Sequence, residues 1–165
     1  MSVDRRKFLV NGWKFGSVLL FLAAGRTSWE LLRPLRVNGA GGKIKLKSPA
    51  NYKPGTAEYV TAGRLWVANP GDGKILALSQ KCPHLGCRVP FCDSSGRFEC
   101  PCHGSIFNIA GEYIQGPSPR GMDRFTITKD DKSAYFVDTS KSTPGPGHGS
   151  HEYPSDAKGP ACAGG

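Results

Sequence analysis

The sequence predicts an all-β fold, a small antiparallel sandwich of short strands, preceded by one N-terminal transmembrane helix. Glycine (22) and proline (13) are frequent among the 165 residues, which favours a loop-rich β domain over a helical bundle. A mostly apolar run occupies residues 8–25, and short β-prone segments separated by turn signals begin at residue 43. This length is typical of one domain with a modest core.

Residues 1–36 are predicted to form a signal and membrane anchor. The segment DRRKFL (4–9) resembles a twin-arginine export motif; alternatively, its charges only orient the following helix. Eighteen helical residues, 8–25, would span roughly 27 Å, just short of a ~30 Å hydrocarbon core. Residues 23–25 (AAG) could serve as a cleavage site. We expect an uncleaved, single-pass anchor in a bacterial or archaeal cell membrane.

The charge distribution argues against nucleic-acid binding. The chain carries a formal net charge of +9, of which residues 1–36 hold seven Lys/Arg against two acids, a net of +5. The body of the chain shows no basic stripe interleaved with aromatic residues. The excess surrounds the apolar run, so a membrane surface is the expected partner.

The anchor is expected to end in WELL (29–32), because Pro34 cannot continue a helix. Residues 38–42 (NGAGG) then hold three glycines in five positions. Such a run suits either a hinge or an ordinary flexible linker. We assign residues 37–43 as a Gly-rich hinge.

The soluble domain is predicted to cover residues 44–139. Alternating or β-prone residues predict its strands, and NPGDG (69–73) and KDDK (129–132) predict turns between neighbouring strands. The predicted strands are 43–47, 58–68, 74–80, 124–128 and 133–138.

Residues 140–165 are rich in Ser, Pro, Gly and His and nearly devoid of apolar residues, which predicts a flexible tail, either disordered or draped over the domain. Its histidines, His148 and His151, could bind a metal adventitiously.

Two motifs, CPHLGC (82–87) and CPCHGS (100–105), carry the chemistry. Cys82-x-His84 is followed after fifteen residues by Cys100-x-x-His103, a set of two thiolates and two imidazoles. This set fits a [2Fe–2S] cluster in which two histidines replace two cysteines. A structural zinc site is the alternative, although zinc fingers usually pair their ligands as Cys-x-x-Cys and His-x₃₋₅-His.

The motifs resemble those of the Rieske iron-sulfur proteins, and more narrowly the membrane-anchored subunit of cytochrome bc-type quinol-oxidising complexes. The resemblance covers about residues 44–139, with the cluster-binding part at about 80–121. It implies that Cys82 and Cys100 bind one iron and that His84 and His103 bind the other.

The resemblance also implies roles for neighbouring residues. Cys87 and Cys102 match the disulfide of the family, which clips the two loops together. Leu85 resembles the apolar residue that shields the cluster. Ser105 matches the hydroxyl that donates to a bridging sulfide and stabilises the reduced form. Residues 116–119 (GPSP) resemble the proline loop that forms a third wall of the site.

Two features depart from the family pattern. Phe107 stands where many high-potential relatives have a tyrosine that donates to a cysteine sulfur. The missing donor predicts a lower reduction potential, suited to a low-potential quinol such as menaquinol. Cys92 and Cys162 lie outside the pattern and either form a disulfide or remain free thiols.

The resemblance implies a function in electron transfer. The domain, on the extracytoplasmic (periplasmic) side, would take one electron and a proton from a quinol bound in cytochrome b, against His103 or, as second choice, His84. It would then reduce a c-type cytochrome. The chain would thus be the electron-transfer subunit of a quinol:cytochrome c oxidoreductase and not catalytic alone. The alternative is an electron-relay subunit of a molybdenum oxidoreductase such as arsenite oxidase.

Overall fold

The computed structural model describes residues 4–33 and 42–162, and the chain divides into two compact units at residues 37 and 38. Most of the predicted hinge, residues 37–41, lies outside the described residues.

The first unit consists of one long helix, α1 (Arg5–Leu32). Asp4 caps its N-terminus, because its Oδ1 accepts a hydrogen bond from the Arg6 backbone N–H at 3.1 Å. The helix ends at Leu32, as the position of Pro34 predicts. It is long and apolar enough to cross a bilayer, although a signal sequence near the N-terminus would meet the same criteria.

The second unit contains two antiparallel sheets, which confirms the predicted all-β fold. Six strands form the larger sheet in the order β1-β10-β9-β4-β3-β2, and four form the smaller one in the order β5-β6-β7-β8. The strands are β1 (Lys43–Leu46), β2 (Thr56–Val60), β3 (Leu65–Asn69), β4 (Leu76–Ser79), β5 (Phe91–Cys92), β6 (Arg97–Glu99), β7 (Ile106–Phe107), β8 (Tyr113–Gln115), β9 (Arg124–Lys129) and β10 (Tyr135–Thr143).

The prediction of one strand over residues 58–68 is wrong, since this segment contains a hairpin. A 3₁₀ turn, Thr61–Gly63, separates β2 from β3, and Arg64 adopts a left-handed conformation with a φ of 50°. A Cβ at Gly63 would lie 2.7 Å from a side-chain carbon of Leu65, so a larger residue would require the buried Leu65 side chain to shift. Residues 61–64 (TAGR) carry no strong turn signal other than the glycine, so the turn is not evident in the sequence.

The larger sheet carries a hydrophobic core on each face. Successive residues of β3 and β4 alternate between the two cores, as the period of a strand requires. Val67 and Ala77 enter the first core, whereas Ala68 and Leu78 enter the second. The first core also includes Leu46 of β1, so the sheet curls until its distant strands meet.

Residues 80–123, here called the insert, leave the larger sheet after β4 and return to it at β9. These two strands pair directly, with Leu78 opposite Arg124. A hydrogen bond of 2.7 Å from the Ser79 N–H to the Asp123 carbonyl closes the neck of the insert. The insert holds the smaller sheet and packs on the second core.

The C-terminal segment, residues 144–162, lies against the domain. β10 continues to Thr143, beyond the predicted end of the domain at residue 139, after a register shift between Asp138 and Ser142. The carboxylate of Glu112 accepts the backbone N–H groups of Glu152 and Tyr153 at 3.0 and 3.2 Å. The segment is therefore draped over the β domain, and the prediction that it is flexible stays a prediction.

Candidate metal centre

The two motifs form two loops with the same backbone design. In each loop the first cysteine accepts, at its carbonyl, a hydrogen bond from a glycine N–H four residues later: Gly86 to Cys82 at 2.9 Å and Gly104 to Cys100 at 3.1 Å. Both glycines have positive φ angles, 79° and 70°, in open space. Glycine is favoured here because of its backbone freedom and not because room is lacking.

The loops bring the four predicted ligands together. Cys82 and Cys100 are buried, at 3% and 2% exposure, and are the two cysteines without a disulfide partner among the described residues. The rings of His84 and His103 meet edge to face with their centroids 4.9 Å apart. His84 is half-buried and His103 is exposed. The two candidate sulfur ligands are therefore buried, whereas the two imidazoles lie nearer the surface.

Burial dominates the chemistry of the Cys82 thiol. It raises the pKa of this thiol above its usual value, and the nearby Cys100 thiol raises it further. The His84 backbone N–H and the Ser105 hydroxyl act in the opposite direction, because they donate hydrogen bonds that stabilise the thiolate. A cation bound between the sulfur atoms would remove the barrier to ionisation.

The Cys87–Cys102 disulfide joins the two loops, as the resemblance implies. The sulfur atoms of Cys87, Cys100 and Cys102 all lie within 4.8 Å of one another, so the disulfide borders the site directly. Leu85 lies at the rim and is 71% exposed, and its shielding role stays a prediction.

The predicted proline loop packs on Ser105, which is completely buried. The Ser118 N–H donates to Ser105 Oγ at 3.2 Å. A Cβ on Gly116, whose φ is 98°, would lie 2.5 Å from the Ser105 Cα, so the loop can approach this closely only with glycine. The loop thus packs directly against the second motif, and its role as a third wall of the site stays a prediction.

Phe107 is fully buried and belongs to the same core cluster as Cys82 and Cys100. Its ring carries no hydroxyl, so this position supplies no side-chain hydrogen bond to the site.

Sequence reasoning missed the contribution of the C-terminal segment. The His148 ring stacks on Tyr113 with centroids 3.7 Å apart, and its Nε2 lies 2.8 Å from the Ser118 carbonyl oxygen. Cys162 forms a disulfide with Cys92, which decides between the two alternatives left open for these cysteines. No local pattern signals contacts between residues so distant in sequence.

The donor set fits a [2Fe–2S] group held by two cysteines and two histidines. Among the described residues, two unpaired thiols lie in the interior, and the two imidazoles, two and three residues after them in the chain, face each other. A tetrahedral zinc ion would use the same four donor types. The buried Ser105 hydroxyl adds a hydrogen bond to a cysteine sulfur, the interaction by which proteins tune iron-sulfur potentials.

The comparisons with known proteins agree with this donor set. Residues 43–126 match the family described as Rieske [2Fe-2S] domain. The chain is 32% identical over 158 residues to a protein of Prochlorococcus marinus (strain MIT 9515) named cytochrome b6-f complex iron-sulfur subunit, covering 86% of this chain and 88% of that protein. It is 30% identical over 151 residues to the cytochrome b6-f complex iron-sulfur subunit 2 of Synechocystis sp. (strain ATCC 27184 / PCC 6803 / Kazusa), covering 79% of this chain and 83% of that one.

Among solved structures, the crystal structure of the cyanobacterial plasma membrane Rieske protein PetC3 from Synechocystis PCC 6803 is similar to this chain. The sequences are 29% identical, the TM-score is 0.40, and the match covers 49% of this chain and 82% of that one.

Proposed function

This chain belongs to the Rieske [2Fe–2S] domain family, and from that membership we propose that it is the membrane-anchored iron-sulfur subunit of a cytochrome bc-type complex. In this role it takes one electron, together with a proton, from a quinol and passes the electron to a c-type cytochrome. One observation carries the proposal: two buried free thiols and two adjacent imidazoles converge on disulfide-joined loops.

Four residues would hold the cluster, Cys82 and Cys100 on one iron and His84 and His103 on the other. When bound, the cluster supplies a one-electron centre with a potential between about −150 and +300 mV, well above the roughly −400 mV of plant-type ferredoxins. The buried cysteines keep their end of the site dry. The Ser105 hydroxyl lowers the pKa of the Cys82 thiol, so it stabilises negative charge at this end of the site.

The imidazoles provide the contact with a quinol. A histidine that ligates a metal through one ring nitrogen keeps the other for a proton. His103 is exposed whereas His84 is half-buried, which supports His103 as the first choice for the residue that accepts the quinol proton. The partner's quinol pocket would close over this exposed ring.

The anchor proposal rests on α1. No residue of this helix is buried within the part of the chain that the structure describes, and large apolar side chains such as Phe21 and Leu22 are 76% and 65% exposed. A lipid bilayer would cover them. We place the Arg5-Arg6 end in the cytoplasm and the β domain on the periplasmic side, in accord with the positive-inside rule.

A redox titration of the purified protein tests proton coupling without any partner. The midpoint potential should fall by about 59 mV per pH unit above the pKa of the proton-carrying histidine, because one proton accompanies one electron. A midpoint independent of pH up to the limit of protein stability would contradict the role of the imidazoles. Cys82→Ser should abolish the reduced-state EPR signal. A colourless wild-type protein that contains one zinc ion would contradict the assignment of an iron-sulfur cluster.

Affinity purification of the tagged full-length chain from detergent-solubilised membranes tests the partners. A cytochrome b should co-purify, and menaquinol added to this preparation should reduce the cluster. Co-purification with a molybdenum-containing subunit in place of the cytochrome would overturn the quinol role and leave the cluster assignment intact.

A further inference from the structure

The proline loop forms a hydrogen bond to Ser105 through one of its residues, Ser118. Its N–H donates to Ser105 Oγ at 3.2 Å, and Ser118 is itself 1% exposed. A hydroxyl has one proton to donate and two positions at which it accepts. Because the Ser118 N–H occupies an accepting position of Ser105 Oγ, it restricts the directions in which the Ser105 proton can point. The Ser105 hydroxyl lowers the pKa of the nearby Cys82 thiol, so its orientation matters for this candidate ligand. The position of Ser118 therefore controls the direction of a hydrogen bond to a cluster ligand.

His148 holds Ser118 from the opposite side. Its Nε2 lies 2.8 Å from the Ser118 carbonyl oxygen. The imidazole is fixed in this position by its stack on Tyr113, at 3.7 Å between centroids and 15° between planes. The Tyr113 hydroxyl in turn donates to the Gly116 carbonyl at 2.7 Å, so the stacked pair contacts two carbonyl groups of the proline loop, those of Gly116 and Ser118.

The backbone of the C-terminal segment brings His148 to this place. The Gly121 N–H donates to the Pro146 carbonyl at 2.8 Å. A Cβ on Gly145 would lie 2.3 Å from the Met122 carbonyl oxygen, so the segment can pass behind the proline loop only with glycine at this position. His148 follows three residues later.

We propose that His148 is a positioning residue that sets the reduction potential of the cluster by holding Ser118, and through it the Ser105 hydroxyl, against the site. The C-terminal segment is then a functional part of the centre. The inference rests on the bound cluster and is independent of the identity of the electron donor.

Redox titration and EPR of the purified full-length protein test the proposal. His148→Ala should lower the midpoint potential and shift the g-values, because Ser105 loses its fixed orientation. His148→Gln should restore most of the potential, since its amide nitrogen can donate to the same carbonyl. His151→Ala is the matched control: this histidine lies on the same segment, is exposed, and should leave the midpoint unchanged.

A double-mutant cycle tests whether the effect of His148 on the midpoint potential passes through Ser105. Ser105→Ala should lower the midpoint by itself, and His148→Ala should add no further change in that background. Additive shifts would overturn the route through Ser105. A wild-type midpoint in His148→Ala, or an equal shift in His151→Ala, would overturn the positioning role. Thermal unfolding of each variant separates these results from loss of structure, because a purely structural role would lower the melting temperature and leave the midpoint unchanged.

Discussion

Phe107 shares a core cluster with both candidate thiols, so the residue that the family pattern singles out also lies in the interior of the site. The ring is fully buried. A hydroxyl added there would have to find an acceptor inside the protein or remain unpaired. A sulfur atom of the site is the acceptor that the family pattern implies.

We predict that Phe107→Tyr raises the midpoint potential, because a new donor to sulfur stabilises the reduced form. Redox titration by EPR measures the shift. If the hydroxyl finds its acceptor, the free energy of unfolding should change little. If it does not, the unpaired hydroxyl should destabilise the fold by about 1–3 kcal/mol and leave the midpoint unchanged, which would contradict the prediction.

Phe98→Tyr is a matched control for this substitution. Phe98 is also fully buried and belongs to the same core cluster. It lies on β6 and, unlike Phe107, does not follow Ser105 by two residues. The control should lose stability without any rise in the midpoint.

At the residue scale, the sequence was informative where chemistry fixes both residue type and spacing. Metal ligation demands particular donors at particular intervals, so the two motifs alone identify Cys82, His84, Cys100 and His103 as candidates. His148 has no such signature. Its ring stacks on Tyr113 and approaches a carbonyl thirty residues away in the chain, and no local sequence pattern predicts contacts of this kind.

Among the elements, the C-terminal segment departs furthest from its sequence signature. Its composition predicts little packing, yet buried carboxylates of the insert accept its backbone N–H groups, Glu99 from Cys162 at 2.8 Å and Glu112 from Glu152 at 3.0 Å. Every non-proline residue offers such an N–H, so this kind of docking leaves no trace in composition. The strands of the larger sheet, apart from the turn between β2 and β3, were predictable from their β-prone runs and turn signals. The four strands of the smaller sheet were not predicted, because segments of two or three residues are too short to show a period.

We predict that Cys92→Ala combined with Cys162→Ala lowers the free energy of unfolding by up to about 4 kcal/mol. The disulfide joins residues 70 positions apart, and the entropy that a cross-link removes from the unfolded chain grows with this separation. Urea denaturation of the oxidised proteins measures the change. Stability equal to that of the wild type would show that the remaining contacts hold the segment unaided.

The pair Cys87→Ala and Cys102→Ala provides the comparison for this variant. Its disulfide spans only 15 positions, so roughly 3 kcal/mol is expected. Since it borders the site, its loss should also alter the EPR spectrum. The Cys92–Cys162 variant should keep the wild-type g-values unless the detached segment carries His148 away from Ser118.

On the scale of the whole molecule, an apolar helix and a β domain are separate compact units. The helix exposes its apolar side chains over its described length, and its N-terminal residues include an arginine pair directly after the capping Asp4. Both features could be identified from the sequence, because the mostly apolar run of residues 8–25 and a paired charge are local patterns. The relation between the two units has no such signature.

We predict that Arg5→Lys combined with Arg6→Lys blocks export of the folded protein. The charge is unchanged, so a helix that needs only a positive flank would still insert, whereas a receptor that reads the arginine pair would not recognise the variant. Protease accessibility of the β domain in spheroplasts measures its location. Arg26→Lys is the control, and normal export of the double variant would contradict twin-arginine transport.

The close spacing of the two ends of the insert affects how such a centre could be transferred between proteins. Its two ends sit on adjacent, directly paired strands, joined at the neck by the Ser79–Asp123 hydrogen bond. A short turn could replace all of residues 80–123 and leave the host ladder of β4 and β9 continuous. Another antiparallel hairpin could therefore accept the redox centre, provided that the recipient also supplies an apolar sheet face like that of Ala68 and Leu78 and a substitute for the covering C-terminal segment.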